Sequence, residues 1–396
     1  MKSKWRECTI GDLCNSISET YKRNDDEVIL INTSDILDGS ILNHTPVPNN
    51  ILKGQFKKTF KKKDILYSEI RPANKRYAFI DIDNTDRYIA STKLMVLRSR
   101  TDIILPEFLF AILKSKNVVD ELQYLAETRS GTFPQITFLS ELAPMEVRVP
   151  DIPTQKRIVS VLKAIEDKIK INTAINENLE QQAQGIFSNL FPNCMSNGIA
   201  MSSIIDVRDG THDSPKAKEK GYYLITSKHL QAYSVNKKEA NLISYEDFKK
   251  INERSKVEHG DILISMIGTV GLISFISDEK IDFAIKNVGL FRTSQNLKLR
   301  FYLLNYLKTN EVINYIEQHL AGSTQKYISL TELRNLPIHI PSDENLHEYN
   351  NLVSPIFGTI IDLYQENQRL ANLCDTLLPK LMNGEIDVSQ VQNKFR

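Results

Sequence analysis

The sequence predicts a mixed α/β fold in which two similar domains are joined by two long antiparallel helices. Three observations support this prediction: a repeat with a period of about half the 396-residue chain, a heptad pattern after each copy, and short connections between helices and domains. A chain of this length can bury two cores of ordinary size. We therefore expect a first domain, a central helical spacer, a second domain, and a distal helical spacer with the C-terminal tail at residues 1–150, 151–192, 193–341 and 342–396.

The repeat is clearest near the end of each domain. GTFPQITFLSELAPMEVRVP, Gly131 to Pro150, aligns without a gap with GSTQKYISLTELRNLPIHIP, Gly322 to Pro341, at an offset of 191 residues. Upstream, Asp64-Ile65-Leu66 matches Asp261-Ile262-Leu263 at a longer offset, which indicates insertions in loops. ILYSEI and ILISMI predict strands, and the apolar segments FLFAILKS and YLLNYLKT predict helices.

Apolar residues after each copy recur in alternating steps of four and three, the pattern of a coiled-coil helix. The first stripe consists of Ile158, Leu162, Ile165, Ile169, Asn172, Asn176, Leu179, Ala183, Ile186 and Leu190. The equivalent positions 191 residues later are Tyr349, Val353, Ile356, Ile360, Leu363, Asn367, Leu370, Cys374, Leu377 and Leu381. Asn176 and Asn367 occupy equivalent core-facing positions, where a polar pair fixes helix register, although either side chain can instead face water.

Short connections set the direction of the helices. The first helix runs from about Thr154 to Phe191 and ends at Pro192, after which the second domain begins almost at once. The second helix leaves that domain at Pro341 and must run back toward the first. The pair is therefore expected to be antiparallel, and the molecule a dumbbell with a pseudo-twofold axis.

Two prolines interrupt the second heptad pattern. Ser354-Pro355 stands where the first helix has Lys163-Ala164, and serine as N-cap with proline at the first helical position predicts a restart. Pro379 predicts a kink or an end near Leu378. We expect the second helix to be less regular than the first.

The composition is that of a globular protein, with 41% hydrophobic and 25% charged residues. No run approaches the roughly 20 apolar residues of a membrane helix, and MKSKWRECTI lacks the apolar centre of a signal peptide, so we predict a cytoplasmic protein without a membrane partner. The four cysteines are scattered along the sequence, and no two of them form a Cys-x-x-Cys motif. This spacing argues against a zinc site or a disulfide framework and predicts reduced, buried thiols. The cysteines are Cys8, Cys14, Cys194 and Cys374.

Basic residues cluster in the first domain although the formal net charge is only +1. A run of lysines is followed by IRPANKRY, and such side chains can hold DNA phosphates or reach base edges. A solvated hairpin is the alternative interpretation of a lysine run. The candidate DNA-contacting residues are Lys57, Lys58, Lys61, Arg71, Asn74, Lys75, Arg76, Arg129, Thr132 and Gln135.

In the second domain, the loop DGTHDSPK combines turn formers with a histidine and a lysine. A single histidine more often satisfies local polar groups than contacts a base, so the loop is a stronger candidate than either residue. A glutamine in the GSTQK turn can bond adenine, although it can also cap the turn. The candidates are His212, Lys216, Lys228, His229, Thr324, Gln325 and Lys326.

Four segments of the sequence are specific when taken together: RIVSVLKAIEDKIKINTAINENLEQQAQGIF, LLPKLMNGEI, DGTHDSPK and GSTQKYISLTELRNLP. On these segments, and over nearly its full length, the chain resembles the specificity subunits of type I restriction-modification systems. The resemblance implies two target recognition domains that alternate with two helical regions, and a complex on double-stranded DNA with two modification subunits and with restriction subunits. S-adenosylmethionine would belong to the modification subunits, which methylate a flipped adenine, and ATP and magnesium to the restriction subunits. This chain would hold no cofactor.

The motifs agree with a non-catalytic subunit. We find no Asn-Pro-Pro-aromatic or Asp-Pro-Pro-aromatic methyltransferase motif, no Walker loop and no His-Glu-x-x-His metal motif. Gly268 and Gly271, in IGTVGL, fit a tight connection between strands better than a dinucleotide-binding loop. The alternatives are the specificity component of a related non-translocating system, a DNA-acting enzyme with an unrecognised motif, and a structural adaptor whose lysines only add solubility.

The length of the first helix suits recognition of two separated DNA sites. Residues 158–190 would span about 50 Å at about 1.5 Å per residue. At roughly 3.4 Å per base pair, domains that far apart would contact sites about one to one and a half turns apart. Different side chains in the two domains would let each recognise a different half-site.

Deleting one heptad from the first helix is expected to change the number of base pairs between the half-sites and to leave the half-sites themselves unchanged, because helix length sets the spacing. A map of the sites methylated by the variant complex measures both quantities. An unchanged spacing would contradict the helix-length model.

Overall fold

The computed structural model describes residues 5–49, 54–129, 133–192, 194–196 and 198–389. The chain divides into two compact units, the first formed by Met1–Ile169 with Arg369–Arg396 and the second by Lys170–Gln368. Two long helices, α4 (Ile152–Leu190) and α9 (Asp343–Met382), each contribute to both units. None of the helices in the described ranges combines the length and the hydrophobicity that a membrane-spanning segment requires. The fold is a two-domain α/β fold with long helices, as the sequence predicts.

Short strands and three α-helices precede α4 in the described part of the first unit. The strands are β1 (Arg6–Thr9), β2 (Cys14–Ile17), β3 (Glu27–Ile31), β4 (Ile36–Leu37), β5 (Ser40–Ile41), β6 (Val47–Pro48), β7 (Phe56–Lys58), β8 (Ile65–Ser68), β9 (Tyr77–Phe79), β10 (Tyr88–Ser91), β11 (Leu94–Ser99) and β12 (Glu146–Val149). The helices are α1 (Ile10–Leu13), α2 (Pro106–Leu113) and α3 (Lys116–Arg129). The strands pair in the orders β2-β11-β8-β9, β6-β3-β10-β7, β1-β12 and β4-β5.

The second unit is built from a similar series of elements. Its strands are β13 (Ile199–Ala200), β14 (Val207–Asp209), β15 (Tyr222–Ile225), β16 (Leu230–Gln231), β17 (Ser234–Val235), β18 (Asn241–Ile243), β19 (Ile262–Ser265), β20 (Ile273–Phe275), β21 (Phe283–Ile285), β22 (Val288–Phe291) and β23 (Pro337–Ile338). Its helices besides α4 and α9 are α5 (Tyr245–Ser255), α6 (Arg300–Tyr306), α7 (Asn310–Gln318) and α8 (Leu330–Asn335). The strands pair in the orders β14-β22-β19-β20, β18-β15-β21, β13-β23 and β16-β17.

The two units repeat one strand framework. The antiparallel sheet β14-β22-β19-β20 has the order of β2-β11-β8-β9. The sheet β18-β15-β21 has the order of β6-β3-β10, and β15 and β21 are parallel, as are β3 and β10. The strands predicted from ILYSEI and ILISMI are the equivalent strands β8 and β19, and the predicted apolar helices are α2 and α6. The units differ before β8 and β19, where the first has strand β7 and the second has helix α5.

The gap-free alignment of Gly131–Pro150 with Gly322–Pro341 is shifted by one residue at Ile136. The Ile136 N–H donates to the Glu69 carbonyl at 2.8 Å, and the Ile328 N–H donates to the Met266 carbonyl at 3.0 Å, so Ile136 and Ile328 are equivalent. The alignment instead matches Ile136 with Tyr327. The π-helical turn Phe138–Leu142 accommodates the extra residue, because a π turn holds one residue more than an α turn.

A buried aspartate closes the turn before the central strand of each main sheet. Asp64 accepts from the Lys61 N–H at 2.7 Å, and the matched Asp261 accepts from the Glu258 N–H at 2.8 Å. In the first unit Arg98 donates from Nε and Nη2 to the two carboxylate oxygens of Asp64, each at 2.8 Å. Asp64 is 2% exposed, and these bonds replace the water that its carboxylate loses on burial.

Within the second unit α4 and α9 pack antiparallel. Asn172 Nδ2 donates to Asn367 Oδ1 at 2.9 Å and to Glu366 Oε2 at 2.7 Å, and Asn176 Nδ2 donates to the Ile360 carbonyl at 3.2 Å. Residue numbers therefore rise along α4 as they fall along α9. The predicted pairing of Asn176 with Asn367 is wrong, because antiparallel helices bring together positions whose numbers have a constant sum rather than a constant offset.

The heptad positions face the interior within each unit. The fully buried positions are Ile158, Leu162 and Leu381 in the first unit, and Asn172, Asn176, Ala183, Tyr349, Val353 and Ile360 in the second. The half-buried positions are Ile165, Ile169, Leu179, Ile186, Ile356, Leu363, Asn367, Leu370, Cys374 and Leu377. Leu190 is 40% exposed, because α4 ends at this residue.

The predicted restart of the second long helix at Pro355 and its predicted end near Leu378 are wrong. Helix α9 continues through both Pro355 and Pro379. A proline lacks the N–H that would bond the carbonyl four residues earlier. At Pro355 that carbonyl belongs to Asn351, and both residues are exposed, so water can bond the carbonyl.

The thiols follow the sequence prediction in part. All four cysteines are free; Cys14 and Cys194 are buried, whereas Cys8 and Cys374 are half-buried. Burial raises the pKa of the Cys14 thiol to about 12. Cys14 is therefore expected to be a packing residue rather than a reactive one.

Replacing Arg98 by Leu is expected to lower the free energy of unfolding of the first unit by about 3 kcal/mol, because Asp64 would keep a buried carboxylate without its cation. Trp5, the single tryptophan of the sequence, packs against the core of this unit, so its fluorescence reports denaturant unfolding there.

The matched control is Arg100→Leu. Arg100 is exposed and donates to Asn15 Oδ1 at 2.9 Å, so this substitution should cost less than about 0.5 kcal/mol. Equal losses in the two variants would contradict a structural role for the buried pair.

Candidate nucleic-acid interface

Two chain segments of the first unit leave the main sheet at the same edge. Strand β8 ends at Ser68, which pairs with Leu94, the first residue of β11. Strand β2 ends at Ile17, which pairs with Val96 of β11. Because neighbouring strands are antiparallel, the chain after β8 and the chain after β2 emerge at this edge together.

Residues 69–76, named here the β8–β9 loop, have a fixed backbone. The Arg71 N–H donates to the Pro134 carbonyl at 3.1 Å, and the Asn74 N–H donates to the Arg71 carbonyl at 2.9 Å. The Ala73 N–H donates to Gln123 Oε1 on helix α3 at 3.0 Å. These bonds attach the loop to two other segments of the first unit.

The β8–β9 loop brings together several predicted DNA-contacting residues. Arg71, Asn74 and Lys75 are all exposed on it. Gln135 forms a β-bridge with Ile70 and accepts from Lys93 Nζ at 3.3 Å, so it lies beside the loop. The arrangement presents cationic and amide donors side by side at the edge of a sheet, a combination that suits contact with phosphates and base edges.

Three other predicted cations of the first unit instead bond to the protein itself. Arg76 Nη1 donates to the carbonyls of Ser34 and Ile36, each at 3.0 Å. Lys58 Nζ donates to the carbonyls of Thr92 and Leu94 at 3.0 and 2.8 Å, and burial lowers its pKa. Arg129 pairs with Glu141 at 3.0 Å. Their bonds account for these side chains without DNA, and we leave them out of the interface.

The remaining predicted residues of the first unit lie apart from the loop. Lys61 is exposed in the turn that leads into β8, whereas the β8–β9 loop follows the strand, so the two lie at opposite ends of β8. Lys57 is exposed on β7, in the other sheet. Thr132 lies outside the described residues.

The second unit presents an equivalent edge. Strand β19 ends at Ser265, which pairs with Val288, the first residue of β22. Strand β14 ends at Asp209, which pairs with Gly289. The loop that follows Asp209 and the loop at residues 266–272, named here the β19–β20 loop, therefore share this edge.

A tight hairpin lies against the β19–β20 loop. Ala321 and Tyr327 each donate to the other's carbonyl at 2.9 Å, and the Gly268 N–H donates to the Lys326 carbonyl at 3.3 Å. The predicted residues Thr324, Gln325 and Lys326 are exposed at the tip of this hairpin. The exposed residues of this hairpin lie beside the β19–β20 loop, as Gln135 lies beside the β8–β9 loop in the first unit.

The DGTHDSPK loop is organised by one carboxylate. Asp209 is 4% exposed and accepts from Arg254 and from His212 Nε2, the latter at 3.0 Å. His212 Nδ1 lies 2.7 Å from Asn287 Oδ1. Both ring nitrogens of His212 are therefore engaged within the unit and fix the loop. Gly210 is required here, because a Cβ at this position would lie 2.3 Å from the Ile285 carbonyl oxygen.

The prediction that His229 contacts DNA is wrong, because this side chain is buried. It is 3% exposed, and its Nδ1 accepts from the Thr226 N–H at 2.9 Å, which caps a short 3-10 helix. In the first unit Asp35 Oδ2 accepts from the Asn32 N–H at 2.7 Å in the equivalent cap. Burial lowers the pKa of His229, so the neutral imidazole is the native form. The two predicted lysines in this part of the chain, Lys216 and Lys228, are both exposed.

The fold defines a protein with two copies of one α/β unit, in which equivalent sheet edges carry different exposed side chains. The family model for the type I restriction modification DNA specificity domain matches residues 2–181 and 201–370, one match for each copy. The chain belongs to this family of type I restriction-modification specificity subunits.

Individual relatives agree with the family match. The specificity subunit of the type I restriction enzyme HindI from Haemophilus influenzae is 30% identical over 465 residues, which cover 97% of this chain and 100% of the relative. The MjaIX specificity subunit from Methanocaldococcus jannaschii is 24% identical and covers 73% of this chain and 71% of its own. The crystal structure of a type I S subunit from M. genitalium shares the fold, with a TM-score of 0.50, 14% identity and 96% of each chain covered.

The stability of the second unit is expected to fall as the pH decreases below about 6.5. The unfolded chain protonates His229 near that pH, whereas the folded imidazole, with its lowered pKa, stays neutral to a lower pH. One such group contributes at most about 1.4 kcal/mol per pH unit.

His229→Asn keeps an acceptor near the position of Nδ1 but does not titrate. Between about pH 7.5 and about pH 5.5 the Tm of the wild-type protein should decrease more than that of the variant. Equal decreases would show that His229 does not couple to stability.

Proposed function

We propose that this chain recognises a bipartite DNA target, with one half-site for each unit. The observation that carries the proposal is the pair of equivalent sheet edges with different exposed residues. The first edge presents Arg71, Asn74 and Lys75, and the second presents a hairpin with Gln325 and Lys326 at its tip. Two copies of one framework suit two sites on a duplex, and different side chains suit two different sequences.

The proposed interface combines base-contacting and phosphate-contacting residues. Cations at a sheet edge release counterions from phosphates, while amide and guanidinium groups distinguish bases in the major groove. We propose that the DNA-contacting residues are Arg71, Asn74, Lys75, Thr132 and Gln135 in the first unit, and Lys216, Lys228, Thr324, Gln325 and Lys326 in the second, with His212 fixing the loop that carries Lys216. Lys57 and Lys61 lie away from the first edge and do not belong to the proposed interface.

We propose that catalysis belongs to partner subunits. Two modification subunits would supply S-adenosylmethionine and methylate adenine, and restriction subunits would bind ATP and magnesium. An exposed apolar pair on α4 supports a protein contact there: Ile171 and Ile175 are 57% and 42% exposed and lie one turn apart in the second unit. A solvated helix face gains nothing from such a pair, whereas a modification subunit would cover it.

The test compares three samples incubated with plasmid DNA and labelled S-adenosylmethionine: the purified chain, the modification subunits, and their mixture. Only the mixture is expected to transfer methyl groups, and only to adenines in one sequence motif. Transfer by the chain alone would show that it is itself an enzyme. Transfer by the mixture without sequence preference would show that the chain is a structural adaptor.

A further inference from the structure

The β8–β9 loop and the β19–β20 loop are equivalent parts of the repeat. Each follows a serine whose N–H donates to the carbonyl at the far end of the loop: Ser68 to Arg76 at 2.8 Å, and Ser265 to Leu272 at 2.9 Å. The loop of the second unit is one residue shorter. Residues can therefore be matched by counting inward from the two ends.

Counted in this way, Arg71 is equivalent to Gly268 and Lys75 to Gly271. All four residues have a left-handed backbone, with φ of 45° and 53° at the basic residues and 81° and 91° at the glycines. Glycine adopts this conformation freely, whereas a residue with a Cβ does so at a cost in free energy. The fold alone favours glycine at both positions, so the side chains of Arg71 and Lys75 serve another purpose.

The side chains of Arg71 and Lys75 are available to a ligand while their backbone is fixed. In the part of the chain that the structure describes, neither side chain forms a hydrogen bond or ion pair, and both are exposed. The Arg71 N–H is bonded to Pro134, and the Lys75 N–H donates to the Pro72 carbonyl at 3.0 Å. A cation on a fixed backbone loses less freedom on binding than one on a mobile loop, which favours a directional contact.

We propose that Arg71 contacts a guanine in the half-site recognised by the first unit and that Lys75 contacts the same or the next base; this rests on the proposed function. The planar guanidinium can donate two parallel hydrogen bonds to guanine O6 and N7, whereas a phosphate contact needs no such fixed direction. The glycines of the second unit carry no side chain to reach a base. Its half-site is recognised by other residues, the hairpin tip among them.

The test replaces each basic residue with the glycine that the repeat uses, as Arg71→Gly and Lys75→Gly. These substitutions relieve the left-handed strain, so the variants should fold with an unchanged or higher Tm. Each is assembled with the modification subunits, and the methylated motif is mapped.

Arg71→Gly is expected to relax one G·C position of one half-site, with a roughly tenfold to hundredfold loss of discrimination there. Lys75→Gly is expected to relax the same or the next position. The other half-site and the spacing should stay unchanged.

Lys63→Gly is the matched control. Lys63 is also exposed and left-handed, with φ of 71°, and its counterpart Gly260 has φ of 87°. It lies in the turn before β8, at the other end of the strand from the loop, so its removal should leave the motif unchanged.

A triple variant of the hairpin tip, with Thr324, Gln325 and Lys326 each changed to alanine, identifies the other half-site. Relaxation of that same half-site by Arg71→Gly would overturn the inference. So would an unchanged motif, or a uniform loss of methylation with the motif preserved, which would indicate a phosphate contact. In each of these cases a chain-dependent split motif in the wild type would leave the proposed function standing.

Discussion

The buried amide contact between the two long helices constrains the whole second unit. Asn172 is fully buried, and its Nδ2 finds two acceptors, on Glu366 and Asn367, in one register of α4 against α9. A slip of one turn would take Asn172 Nδ2 away from these two acceptors, and a buried donor without an acceptor costs more than the contact itself contributes. Helix α4 leads into β13 and α9 follows β23, and these strands pair with each other, so the helix register and the strand framework agree.

The strand framework is the constant part of each unit, and the loops at its edge are the variable part. The serines that precede the equivalent loops make the same backbone bond in both units, and Ile70 is matched by Ile267, whereas the other side chains of the two loops differ. A buried aspartate before each central strand fixes the other end of the framework. Such a division suits a protein family in which the fold stays the same while the recognised DNA sequence changes, because loop substitutions leave the core packing intact.

Periodicity allowed much of the fold to be predicted. The two long helices and the strands β8 and β19 follow from the pattern of apolar residues, the repeat follows from matched segments, and the antiparallel direction follows from the short connections between helices and domains. The pairing of Asn172 with Asn367 did not follow, because it depends on the register between two helices. The continuity of α9 through Pro355 depends on the exposure of Asn351, and the π turn after Thr137 depends on backbone geometry, neither of which a residue pattern contains.

The candidate site was predictable as loops but not as individual residues. The sequence does not show whether a lysine or arginine side chain is solvated or bonds a backbone carbonyl, so the bonds of Lys58 and Arg76 could only be found in the structure. The burial of His229 was equally hidden, since a cap and an exposed turn use the same residue types. The left-handed backbone of Arg71 has one indication in the sequence, namely that the equivalent residue is Gly268, but the equivalence itself needs the strand pairing.

The central claim is that the two units recognise two separated half-sites, and a methylation map of plasmid DNA tests it most directly. DNA from cells that express this chain with its modification subunits would be compared with DNA from cells that express the modification subunits alone. We predict methylated adenines in one motif of two short half-sites separated by a fixed number of unspecified base pairs, present only with this chain. A continuous motif, or no chain-dependent motif in cells where the complex assembles, would contradict the account.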